Sequence, residues 1–253
     1  MKSYAVFILI ISLLSCREDT KNNISADFID SIEKAHKKTA FLEHEAIRYH
    51  LDLSFNGKER FKGRISFLTN SAKVRLDYDN GMQLIYDGKQ VFQSPDTIQY
   101  AKARFDMFTW SYFFALPYKL KDAGTHISAT DKDTLNNHIY TSAKLTFDSG
   151  TGDSPKDWYM IYKNDSTDLI KAAAYIVTLN KSLNQAEENP HAIRYENYLL
   201  KNNIPMASKW TFWEWEKGSL TKKIGEGSIS EIQFFRPRKS YFEPPQSSKI
   251  ISL

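Results

Sequence analysis

The chain has a single cysteine, Cys16, in 253 residues. An intramolecular disulfide is therefore excluded, and a zinc ion would have to be held by residues far apart in sequence. Long apolar runs are just as scarce. Only residues 5–14 form one, too short to span a bilayer comfortably and the right length for a signal-peptide core. No excess of one charge exists: 34 Lys and Arg stand against 30 Asp and Glu, and the basic residues are scattered, so no nucleic-acid footprint is present. Glycine is sparse and builds no phosphate-cradling loop. The nearest imitation, Ser149-Gly-Thr-Gly-Asp-Ser154, lacks the lysine and the following helix. His36, His44, His50, His126, His138 and His191 include no His-x-His or His-Glu-x-x-His pair, and each reads as a strand or helix surface residue. There is no Gly-x-Ser-x-Gly either. Catalysis is left without a motif, and no cofactor or metal is expected.

What is present begins at the N-terminus. Lys2 precedes the apolar run, which ends in Leu13-Leu14-Ser15-Cys16. This resembles the lipobox of bacterial lipoproteins: an aliphatic residue three before the cysteine, a small residue just before it, and a thiol to take up a diacylglyceryl group. The expectation is a signal peptide over 1–15, lipidation of Cys16, a polar tether over 16–24, one domain over 25–240 and an extended tail over 241–253. Membrane lipid, reached through Cys16, is the expected partner, because a multiply acylated cysteine anchors stably. Arg17 is not the aspartate of inner-membrane retention. An outer-membrane anchor is therefore expected, on the periplasmic face or the cell surface.

Ser25 reads as the cap of a helix to about Thr39, with Phe28, Ile29, Ile32, Ala35 and His36 on one stripe. The period then switches to two. Ile47, Tyr49, Leu51, Leu53 and Phe55 face one way and Arg48, His50, Asp52 and Ser54 the other, as in a half-buried antiparallel strand. Phe61, Ile65 and Phe67, then Val74, Leu76 and Tyr78, continue the pattern, with turns at Asn80-Gly81 and Asp87-Gly88. Further strands are expected over 126–129, 138–147, 158–163, 169–179, 192–200, 207–216, 220–224 and 228–235, with a hairpin at Gly225-Glu-Gly-Ser228. Residues 105–116, Phe-Asp-Met-Phe-Thr-Trp-Ser-Tyr-Phe-Phe-Ala-Leu, break the pattern and predict a short helix apolar nearly all round, which must be buried or plug something. The fold class is mainly β (α+β). A single curved antiparallel sheet of about eleven strands would form a half-open barrel, with an N-terminal helix and a short apolar plug helix.

One stretch carries a family resemblance. Gly63 opens a strand that leads through Val74–Tyr78 to Gln83-Leu-Ile-Tyr-Asp-Gly-Lys-Gln-Val-Phe92, whose Asp87-Gly88-Lys89 turn runs into an aromatic residue. The layout resembles the LolA/LolB-like lipoprotein-carrier superfamily, nearer to a Bacteroidota outer-membrane lipoprotein group with this fold than to a true carrier. Carriers have Arg-Pro near the end of the second strand, where the arginine latches the lid helices; the equivalent place here is Thr69-Asn70, so no carrier binding residue is transferred. A monomer is expected, and a curled sheet with one apolar face and an apolar helix against it would enclose an apolar cavity. Tyr49, Leu51, Leu53, Ile65, Phe67, Leu76, Met107, Trp110, Phe113, Phe114 and Trp213 are the residues expected to line or plug it.

Two polar features invite chemistry. Asp148, Asp153 and Asp157 fall in one loop and are oxygen donors of the kind calcium uses, although a long polar hairpin explains them as well. Glu214 and Glu216 are read as lying on one face beside a row of tryptophans, Trp210, Trp213 and Trp215, an arrangement that could stack on sugar rings or simply belong to a core strand. The function that fits best is non-catalytic binding of a lipid or acyl chain by a tethered lipoprotein. A structural module of the envelope without ligand is the alternative, and an enzyme acting on glycans or lipids is the least favoured reading.

Overall fold

The computed structural model describes residues 18–128 and 130–252, with side chains from residue 26 onward. The stretch read as a signal peptide and the expected lipidation site, Cys16, lie outside them. Two helices come first, α1 (Glu18–Ala35) and α2 (Lys38–Leu42). Five strands follow: β1 (Ala46–Phe55), β2 (Lys58–Leu68), β3 (Val74–Tyr78), β4 (Gln83–Tyr86) and β5 (Val91–Ser94). After α3 (Ala103–Ala115) come β6 (Thr125–Ile127), β7 (Asp131–Leu135), β8 (His138–Phe147), β9 (Tyr159–Lys163) and β10 (Ile170–Tyr175). The short α4 (Leu183–Glu187) precedes β11 (His191–Lys201), β12 (Ile204–Glu216), β13 (Ser219–Phe235) and β14 (Lys249–Ile251).

Among the described residues, fourteen strands make one open antiparallel sheet in the order β14-β5-β4-β3-β2-β1-β13-β12-β11-β10-β9-β8-β6, with β7 paired to β8. It is two meanders joined where β1 pairs with β13. The order has a consequence for the helix. β5 lies near one edge and β6 at the other, so residues 95–124 must travel across the sheet, and α3 is carried over its face. The core confirms this: α1, α2 and α3 all pack on the face that bears Ile47, Tyr49, Leu51 and Leu53. The opposite face carries a smaller cluster around Leu135, Tyr162, Ala172 and Leu220.

Several expectations need correction. The N-terminal helix starts at Glu18, inside the stretch read as a tether, and stops at Ala35, because Lys37 takes a left-handed conformation (φ 57°) before α2 begins. The sequence reading missed β7 and α4. β7 is short and polar, and α4 is a single capped turn in which the Ser182 hydroxyl and the Gln185 side chain satisfy each other's backbone N–H groups. The predicted hairpin at Gly225–Ser228 is instead the middle of the long strand β13. Gly225 lies opposite Phe55 and Gly227 opposite Leu53. A Cβ on Gly225 would stand 2.7 Å from the Phe55 ring, so these glycines make room for large side chains of β1 rather than a turn. The tail is part of the domain: Tyr241 bonds to the Ser66 hydroxyl at 3.0 Å on the outer face, and β14 pairs with β5.

Candidate functional site

α3 is held at both ends. Asp106, in its first turn, is fully buried and accepts hydrogen bonds from Arg60 of β2, from Tyr78 of β3 at 2.8 Å and from Tyr100. The guanidinium is bidentate, and it also lies 5.5 Å from the Trp110 ring centre. Burial works against the Arg60 charge, but the bonds and charge of Asp106 outweigh it and raise its pKa. Farther along the helix, Tyr49 of β1 donates to the Trp110 carbonyl at 3.0 Å. Tyr195 of β11 donates to the Phe113 carbonyl at 2.9 Å, satisfying one of the last carbonyls that the helix cannot satisfy itself. Sequence reasoning missed Arg60 and Tyr195. The one available signal was an aspartate inside an otherwise apolar helix, which demands a buried cationic partner.

Two apolar stripes run along α3. Met107, Trp110, Phe113 and Phe114 face the sheet and are buried. Phe105, Phe108, Thr109 and Tyr112, again three and four apart, face away from the sheet centre and line a cavity of about 310 Å³. Its far wall is Phe147 of β8, Tyr159 of β9 and Tyr175 of β10, continued by Val177 and Leu179. The aromatic rings touch one another: Tyr112 to Tyr159 at 5.4 Å, Phe147 to Tyr159 at 6.0 Å and Phe113 to Tyr175 at 5.0 Å between centroids.

Most of the rest of the wall is polar, and much of it comes from the aspartate-rich loop. Thr151, Asp153, Ser154 and Asp157 line the cavity, facing Lys119 and Asp122. Asp153 is paired with Arg104 of α3 at 2.9 Å, which straps the loop to the helix. Asp157 accepts from the backbone N–H and the hydroxyl of Thr178 at 2.7 and 2.6 Å. Burial pushes its carboxyl above the usual range against those bonds, and the charge of Asp153 adds to the rise. The calcium reading fails on this geometry. Asp148 is bonded to His126, Asp153 to Arg104 and Asp157 to Thr178, so the three carboxylates do not converge. Among the described residues, no group of three or more His, Cys, Asp or Glu could hold a metal ion.

Of the residues expected to form the cavity, only Phe113 lines it. Tyr49, Leu51, Leu53, Ile65, Phe67 and Leu76 are packed core beneath α3, and Met107, Trp110 and Phe114 are the face of α3 that packs on them. Trp213 lies on the opposite face with Trp215, since strand alternation puts Trp210 and Phe212 in the main core and the odd-numbered tryptophans outside it. That separation also removes the expected row of tryptophans beside Glu214 and Glu216. His36 is buried, as its place on the helix stripe predicts and against the surface reading of the six histidines as a group, and it accepts from the Ile170 N–H at 3.1 Å.

The family model described as a family of unknown function, DUF6503, matches residues 73–221. The chain belongs to this family. The DUF6503 match takes in all of α3 and every residue lining the cavity except Ser71. No curated protein sequence matches the chain. In three dimensions the DUF6503 chain is similar to the LolA superfamily protein NE2245 from Nitrosomonas europaea, with a TM-score of 0.54 at 10% identity, covering 87% of this chain and 98% of that one. A DUF1329 family protein from Desulfovibrio piger superposes at 0.47 and 8% identity, covering 87% and 97%. The first of these likenesses shows the fold, the LolA-like open sheet expected from the sequence. Among the described residues no helix is long and apolar enough to cross a membrane.

Proposed function

We propose that the protein is a lipid-anchored lipoprotein of the cell envelope, held at the outer membrane through Cys16, that binds one apolar ligand without catalysis. The observation that carries this reading is the cavity between the outer stripe of α3 and the aromatic wall of β8–β10. Its volume sits at the low end of the roughly 300–1,000 Å³ typical of small-molecule sites, which suits a single acyl chain better than a two-chain lipid. Each methylene taken out of water there is worth about 0.8 kcal/mol, so a chain of ordinary length gains useful affinity from burial alone. The lipobox supplies the anchor, and the LolA-type fold fits an envelope setting. A tethered chain cannot diffuse as a carrier does, so the role is that of a receptor or holder, and no protein partner is needed for the cavity to form.

The rival reading, an envelope module that takes no ligand, draws on the filled centre of the sheet. Native mass spectrometry separates the two. The mature chain prepared without detergent should retain a lipid mass, and Thr109→Trp, which places a large ring on the cavity face of α3, should lose it without lowering the melting temperature. Absence of any bound or added alkyl ligand from the unaltered protein would favour the rival. The anchor has its own test: Cys16→Ser should abolish incorporation of labelled fatty acid and release the chain from the membrane fraction.

A further inference from the structure

The cavity wall is not electrically neutral. Its charged residues are Lys119, Asp122, Asp153 and Asp157. Lys119 pairs with Asp122 at 2.6 Å, and Arg104 reaches from α3 to pair with Asp153. Among the described residues, Asp157 is in no ion pair, and its hydrogen bonds from Thr178 both fall on Oδ1. One negative charge is thus left over at the polar end of an otherwise aromatic chamber.

A second observation lies beside it. Tyr112 is part of the wall, and its hydroxyl is shut off from solvent with no hydrogen-bond partner. Burial raises its pKa, and the negative charges of Asp122 and Asp157 raise it further, so both carboxylates bear on this hydroxyl. A buried polar group without a partner costs free energy that a ligand atom can recover. The polar end of the chamber therefore offers acceptor oxygens and negative potential, next to a hydroxyl awaiting a partner.

We propose that the cavity selects a single-chain amphiphile whose head is a primary ammonium, and disfavours one whose head is a carboxylate. The chain lies along Phe105, Phe108 and Phe147, and the ammonium reaches Asp157; the Tyr112 hydroxyl, closed off in the structure, joins it when the ring turns toward the head. An ammonium has three N–H donors for those acceptors, whereas a carboxylate has none and meets like charge. This inference rests on the apolar-ligand reading above.

Displacement of a fluorescent alkyl probe from the mature chain by dodecylamine, dodecanol and dodecanoate tests it, because the three share one chain and differ only in the head. Dodecylamine should displace the probe at a concentration roughly tenfold or more below dodecanoate, with dodecanol between them. Asp157→Asn keeps the Oδ1 acceptor for Thr178, so it should close most of that gap and leave dodecanol unchanged. Dodecanoate binding as well as or better than dodecylamine overturns the ammonium inference while the apolar-ligand reading stands. Failure of the probe and all three compounds to bind overturns both. An unchanged gap in Asp157→Asn removes Asp157 from the argument and overturns the proposed head-group contact. Should that variant not fold, Tyr112→Phe takes its place and is expected to weaken dodecylamine severalfold; no change there refutes the proposal.

Discussion

His36 makes the stability of this domain depend on pH in a way that can be isolated. It follows the last residue of α1, is 1% exposed, and receives the Ile170 N–H on Nε2 at 3.1 Å. Its ring meets Tyr118 and Tyr198 edge-on at 6.1 and 5.7 Å. Nε2 can accept that bond only while it carries no proton, and the pocket holds no acid to stabilise an imidazolium. Burial accordingly lowers the pKa from 6.5 to about 3. Because the folded pKa is depressed and the group is a base, the unfolded chain takes up a proton below pH 6.5 while the folded chain does not. Stability is intact above pH 7 and falls as the pH drops from 6.5 toward 3. At about 1.4 kcal/mol per pH unit, the loss is roughly 2 kcal/mol at pH 5 and approaches ~5 kcal/mol near pH 3. Other carboxylates titrate in the same range, so the comparison is with His36→Gln, whose amide oxygen accepts the Ile170 bond and does not titrate. Urea unfolding of both proteins from pH 8 to 4 should show a stability difference that is constant above pH 7 and shifts in favour of the variant by about 2 kcal/mol at pH 5. A difference that stays flat across that range would refute the reasoning, since it would mean that His36 is protonated in the folded state without penalty.

Two further perturbations probe how the plug helix and the sheet are fastened. Asp106→Ala leaves the Arg60 guanidinium buried without its partner and should cost about 3–5 kcal/mol in urea unfolding, whereas Arg60→Met with Asp106→Leu together should cost much less; a single-variant loss under about 1 kcal/mol would mean that the pair does not hold α3. Gly63→Ala should destabilise by several kcal/mol in thermal unfolding, because its Cβ would stand 2.2 Å from the Asp77 carbonyl oxygen of the neighbouring strand, and an unchanged melting temperature would show that β2 and β3 can move apart.

Much of the sheet was legible locally. In β1 the alternation of Ile47, Tyr49, Leu51 and Leu53 with polar residues predicts its buried face, and those four side chains are fully buried. The turns at Asn80-Gly81 and Asp87-Gly88 were readable because glycine takes a positive φ without steric cost, and Gly81 and Gly88 adopt it, at 90° and 101°. Glycine misled at Gly225 and Gly227. A glycine that frees the backbone for a turn and one that clears space for a neighbour look the same in one dimension, and only the pairing with Phe55 and Leu53 tells them apart. Trp213 was misplaced although the same alternation, counted from Trp210, points it to the other face.

By itself, the sequence determined the class of the fold and the presence of one helix apolar on all sides, because each depends on a short-range pattern. Which side of that helix would face a cavity was decided only by the tertiary structure. Phe105, Phe108 and Tyr112 are as apolar as Trp110, Phe113 and Phe114, so periodicity cannot rank the two stripes. The choice is made mainly by partners remote in sequence: Arg60 and Tyr78, with the nearby Tyr100, draw Asp106 toward the sheet, Tyr49 and Tyr195 pin the helix carbonyls, and the first stripe is left to face the aspartate loop across open space.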